Sequence, residues 1–165
     1  MMTDLRFNRI ASLAELIESR LAQTPAKLAV GQWRGGDLAY ERWADVQKRL
    51  DAADQMLTRL RIGRHSTLGL LLPTSYLWAL CDWACLRRGP VTAAYHPDWG
   101  TRELARAISL AAPDAIVCAP AQEPALRRAL DALGLDCPVE VQYDADALGG
   151  DARLDDGSGP VHSRG

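Results

Sequence analysis

Few residues in this chain are suited to chemistry by type and spacing. The soft and titratable candidates are Cys81, Cys85, Cys118 and Cys137, with His65, His96 and His162. One pair of cysteines four residues apart and two distant singles match neither a zinc ligand set nor a CxxC redox pair. They read as free thiols packed as small hydrophobes in a reducing cytoplasm. His65 and His162 fall in a loop and in the tail, where a surface role is expected. No GxSxG elbow accompanies the serines, so a hydrolytic set is not indicated. Gly157-Ser158-Gly159 lacks the lysine and the preceding strand of a phosphate loop and reads as a flexible linker. What remains is Tyr95-His96-Pro97-Asp98-Trp99. Tyr95, His96 and Trp99 follow an expected parallel strand, and open α/β sheets bind ligands at the carboxyl ends of such strands. An imidazole between two aromatics suits contact with a planar or acyl substrate. The alternative is a structured turn in which Tyr95 and Trp99 seal the sheet edge. The pattern names no catalytic residue and no metal ligand.

The elements that position these residues are set by periodicity. Ser12–Gln23 reads as a helix with Leu13, Leu16, Ile17 and Leu21 on one face and Ser12 with Glu15 as a capping box. Thr24-Pro25 stops it. Lys27–Gln32 and Asp37–Tyr40 flank Arg34-Gly35-Gly36 as a hairpin. Glu41–Arg61 carries a continuous stripe of Trp43, Val46, Leu50, Ala53, Leu57 and Leu60, ended by Gly63. Thr67–Leu72 is an apolar run without alternation, as in a strand buried on both faces. A deeply packed helix follows over Ser75–Arg88 and closes at Gly89-Pro90. Val91–Tyr95 is a strand, Thr101 caps the next helix, and Ala115–Ala119 is another buried strand. Glu123–Leu133 is a helix and Pro138–Gln142 a weaker strand. The expected fold is α/β, a mostly parallel sheet flanked by helices with a small N-terminal hairpin. Residues 1–143 form the folded part, and residues 144–165 are expected to be an acidic linker or disordered tail.

Composition agrees with a globular chain of 165 residues, 48% hydrophobic and 24% charged. A net charge of −2 argues against a nucleic-acid partner held by phosphate neutralisation. Residues 1–130 carry 17 cationic and 13 anionic side chains, whereas residues 131–165 carry 2 and 8. The apolar stretch Leu68–Leu86 is interrupted by Pro73, Thr74 and Ser75 and contains Asp82, so no membrane span is expected. With no signal peptide read at the start, the expected setting is cytoplasmic.

Taken in order, these segments resemble the opening of the adenylate-forming (AMP-binding) enzymes, the acyl-CoA synthetases and AMP-dependent synthetase-ligases. LAELIESRLAQTPAKLAV is similar to the family's first helix and strand. GGDLAYERWADVQKRLDAADQML is similar to its turn, "TY-x-EL" strand and long helix. STLGLLLPTSYLWALCDWACLRRG and PVTAAYHPDWGTRELARAISL are similar to its "V-x-LLLPN" strand, buried helix, "P-x-x-P" strand and "EL-x-x-x-L" helix. Thr74 stands where the family often has Asn, and Ala94-Tyr95-His96-Pro97 replaces the common "PLNP". The resemblance implies ATP-dependent activation of a carboxylic acid and its transfer to a thiol, with ATP and Mg in the complete parent enzyme. The implied Gly/Ser/Thr-rich phosphate loop, later acidic motif and catalytic lysine have no counterpart in this sequence. The chain is therefore expected to need no cofactor of its own and to be a structural N-terminal fragment, inactive alone. Its expected partner is the remainder of the ligase or a complementary chain, with self-association as another way of covering its surfaces. The alternative is a stand-alone, non-catalytic interaction module that retains the fold. An independent flavodoxin-like nucleotide binder is a third reading, for which Pro73-Thr74-Ser75 supplies no glycine-rich turn.

Overall fold

A computed structural model describes residues 11–34, 36–146 and 148. The Gly157-Ser158-Gly159 segment, His162 and the rest of residues 149–165 lie outside the described residues. Helix α1 spans Leu13–Gln23, and its N-cap Ser12 accepts a hydrogen bond from the Glu15 backbone N–H at 3.1 Å. Strands β1 (Leu28–Arg34) and β2 (Asp37–Arg42) pair antiparallel, both running two residues beyond the expected ends. Gly36 takes φ +96° in their turn, the left-handed region that glycine enters freely.

Helix α2 covers Trp43–Arg59, starting later than expected because Glu41 and Arg42 stay paired in the hairpin. Asp45 caps it by accepting from the Arg42 N–H at 3.3 Å. The far end differs from the glycine stop expected. Arg61 adopts φ +58°, and the Ile62 N–H donates back to Leu57 O at 2.8 Å. This is a Schellman ending, in which the apolar residue after the left-handed position anchors the turn; here Ile62 is buried. Gly63 stands two residues too late to do the job.

The second half builds the sheet. Strand β3 (Thr67–Leu71) is followed by α3 (Tyr76–Arg88), β4 (Val91–Ala94), α4 (Thr101–Ala111), β5 (Ala115–Cys118), α5 (Glu123–Leu133) and β6 (Val139–Val141). Every pair in the four-stranded sheet is parallel, in the order β4-β3-β5-β6. The N-cap of α4 is Gly100 without a side-chain bond, so Thr101 is the first helical residue rather than the cap.

The sheet divides two apolar layers. Leu68, Leu70, Ala115 and Val117 face α1, α2 and α3, whereas Leu71, Ile116 and Cys118 face α4 and α5. Helix α3 thus carries the chain one way from β3 to β4, and α4 carries it back across the opposite face to β5. Right-handed crossovers running in opposite directions require opposite faces. The packing also continues past Tyr143, since Ala145 and Leu148 are buried against the α1–α3 layer.

Candidate functional site

The strand order reverses between β3 and β5. In doubly wound sheets the crevice at the carboxyl ends of the two diverging strands is where ligands bind. Here that crevice is bounded by Pro73, Thr74 and Ser75 after β3, and by Ala119, Pro120, Ala121 and Gln122 after β5. The Ala119 N–H donates to Leu71 O at 3.2 Å, which holds the two exits side by side. Pro73, Thr74 and Ser75 are exposed. The Ser75 Oγ already accepts from the Trp78 N–H at 3.2 Å as the cap of α3. The Gln122 side-chain oxygen is buried and finds no hydrogen-bond partner among the described residues.

The structure separates the aromatic–imidazole group. His96 and Trp99 stay together at the surface of the β4 exit, their ring centroids 6.4 Å apart and tilted by 34°. His96 Nδ1 accepts from the Asp98 N–H at 3.2 Å, which leaves the proton of the neutral ring on Nε2. The imidazole is 61% exposed and Trp99 39% exposed. Tyr95 takes the other direction: it is 5% exposed and belongs to the α4–α5 layer. Its ring crosses Gly69 so closely that a Cβ there would lie 2.8 Å from Tyr95 Cε2 and 2.8 Å from Ile116 Cγ1. Burial pushes the Tyr95 hydroxyl up to about 12, and the nearby Cys137 thiol adds to the effect. The tyrosine thus braces the strand while the other two residues face solvent.

A polar network that the sequence did not announce joins the end of β2, the first half of α2 and the start of α3. The Arg49 guanidinium donates to both carboxylate oxygens of Glu41 at 2.8–3.0 Å. It also donates to Ala145 O at 2.9 Å and to the Asp146 carboxylate at 2.6 Å. The Tyr76 hydroxyl donates to Glu41 at 3.1 Å, and the guanidinium lies 6.0 Å from the centre of the Tyr76 ring. Charge-assisted pairing holds Arg49 protonated well beyond its ordinary range. The spacing of Glu41 and Arg49 across a strand–helix junction follows no helical rule, so only folding brings them together. Gly69, by contrast, did carry a signal: a glycine inside a strand marks a close approach.

The sequence matches the AMP-binding enzyme family over residues 17–163. The chain belongs to that family. Its fold is that of solved family-type enzymes of low identity. It superposes on a benzoate CoA ligase from Burkholderia xenovorans LB400 with TM-score 0.68 and 12% identity, over 82% of this chain and 27% of that one. The luciferase-like enzyme of the mealworm Zophobas morio gives 0.70 and 17%, over 88% and 36%. ATP-bound MatB from Rhodopseudomonas palustris gives 0.65 and 21%, over 81% and 27%. The chain thus spans about a quarter to a third of the length of these enzymes. No curated relative matches it by sequence.

ATP with Mg, which the family implies, does not fit the donors at the switch point. The residues bounding it include neither a cation to neutralise phosphates nor a carboxylate to hold Mg. Among the described residues no three His, Cys, Asp or Glu side chains gather to hold a metal ion. No described helix is long and apolar enough to cross a membrane.

Proposed function

We propose that this chain is the N-terminal structural portion of an AMP-forming acid:thiol ligase of the acyl-CoA synthetase kind. It acts with the remainder of the ligase or a complementary chain and is inactive alone. The observation carrying this reading is a family match over residues 17–163 in a fold that covers only about a quarter of a benzoate CoA ligase. In this reading the parallel sheet is a scaffold, and His96 with Trp99 forms part of a wall against which an acyl or aryl group rests. Tyr95 supports that wall from beneath. The exposed Nε2–H of His96 is suited to donate to a carbonyl oxygen, and the Trp99 face to lie along a flat apolar body. The cations that would stabilise pyrophosphate departure are assigned to the partner portion, and ATP with Mg would bind there.

The purified 165-residue chain is expected to show no ATP–pyrophosphate exchange with acetate, benzoate or octanoate. Exchange above background by the chain alone overturns the reading. Alanine at His96 or at Trp99 in the complete enzyme is expected to raise KM for the acid about 5- to 30-fold, since each contact contributes about 1–2 kcal/mol of binding.

A further inference from the structure

At the end of the sheet opposite the switch point lies an open depression of about 580 Å³, between the last turns of α4 and α5. That volume lies within the range of small-molecule sites. Ile108, Ala112, Leu133 and Leu135 make its apolar walls, and Cys137 lies along one side. Among the described residues that line it, the charged ones are Asp114 and Asp136, and none is a cation. Asp114 directly precedes β5 and Asp136 stands three residues before β6, and these two strands are neighbours in the sheet. The Asp114 carboxylate is held in place, accepting from the Thr67 N–H at 2.8 Å. The exposed Asp136 side chain forms no hydrogen bond or ion pair among the described residues. Burial, then Asp114, then Asp136 raise the Cys137 thiol above its ordinary range, so both carboxylates act on a group inside the depression. Charge of one sign beside apolar walls concentrates the field in such a hollow and draws in the opposite charge.

We propose that the depression binds a small organic cation, a protonated amine on an apolar body, with its ammonium at Asp114 and Asp136 and its body against Ile108, Leu133 and Leu135. The apolar walls select the body, which a hydrated metal ion lacks. The carboxylates select the charge and repel an anion, which separates this ligand class from the carboxylic acid expected of the ligase. The site also lies at the opposite end of the strands from His96 and Trp99, so it stands whether or not those residues meet an acyl group.

Titrations of the methyl-labelled 165-residue chain at pH 7 with phenethylamine, 2-phenylethanol and 3-phenylpropanoate test this, since the three share a body and differ in charge. Phenethylamine, a cation at that pH, is expected to shift the Ile108, Leu133 and Leu135 methyl signals saturably. It should bind about 3- to 10-fold more tightly than 2-phenylethanol, the return on two partly exposed charge pairs, and 3-phenylpropanoate should bind most weakly. Asp136→Asn is expected to reduce the ratio of amine to alcohol at least 2-fold while leaving the alcohol's affinity unchanged. Asp114→Asn, which keeps an oxygen for the Thr67 N–H, should act in the same direction. Ser109→Trp, at an exposed position on the rim, is expected to block all three. An absence of saturable shifts, an amine no tighter than the alcohol, or a ratio that survives both asparagine variants overturns the proposal. So does binding that persists in Ser109→Trp, because it places the ligand elsewhere. Should Ser109→Trp not fold, the order of the three probes in the unmodified chain and the Asp136→Asn ratio still decide.

Discussion

The Tyr95 ring packs close over Gly69, and the coupling of the two is measurable. A methyl group at position 69 would sit 2.8 Å from two neighbouring carbons. Gly69→Ala is expected to cost about 1–3 kcal/mol in urea unfolding, the usual range for overpacking a core. In the Tyr95→Leu background the same change should cost less, because the ring that it strikes is gone; equal costs in both backgrounds would refute the contact. The thiols obey a second residue-scale rule. Burial pushes Cys81 up to about 12, and Cys85 and Cys118 to about 11, from an ordinary 9.0. The folded chain therefore holds these protons more tightly than the unfolded chain does. Their contribution to stability is complete below pH 9 and declines as pH rises from 9 towards 11–12. Iodoacetamide at pH 8 should label these three cysteines far more slowly in the native chain than in urea, and equal labelling would contradict their burial.

Among the elements, α2 is the organiser. Its apolar side packs Val46, Leu50, Ala53, Met56 and Leu57 into the core, and its polar side holds Arg49 against Glu41 and residues 145–146. Arg49→Ala is expected to lower stability by about 2 kcal/mol, as for loss of a charge-assisted hydrogen-bond set. It should also speed hydrogen exchange at the Asp146 amide, which donates to Asp144 at 2.8 Å; unchanged exchange there would show that Arg49 does not hold the segment. The apolar side of α2 was legible in the sequence because burial imposes a 3.6-residue period. The parallel sheet was legible too, because strands covered on both faces lose their alternation, as in Thr67–Leu72. The polar side was not. Glu41, Tyr76 and Asp146 are far apart in sequence, and no local period records a contact made through three elements. The ending of α2 escaped for another reason. Arg61 accepts a left-handed conformation because Ile62 gains burial, a tertiary reward that outweighs the glycine preference. At the candidate site, His96 and Trp99 lie together just past the end of β4. The direction of Tyr95 depended on the space left by Gly69, one strand away.

For the whole molecule, the chief fact is the amount of apolar surface left outside the core. Trp33 is 76% exposed on the hairpin, with Leu38 and Tyr40 beside it; Leu110 is exposed on α4. Such patches commonly mark interfaces. The chain alone is expected to associate with rising concentration, and Trp33→Ser with Tyr40→Ser to reduce that association in sedimentation experiments. An unmodified chain that stays monomeric across the range would argue that the hairpin face needs no cover.

The strand order also sets a clock for synthesis. β3 is the sheet's only link between β4 and β5, and its bond to Asp114 bridges 47 residues. At about 5–20 residues per second, a ribosome delivers that stretch in roughly 2–10 s. Throughout that wait a strand buried along most of its length has at most one edge paired. The nascent chain thus passes through an obligatory window in which a chaperone or a stray strand competes with β5 for the same backbone.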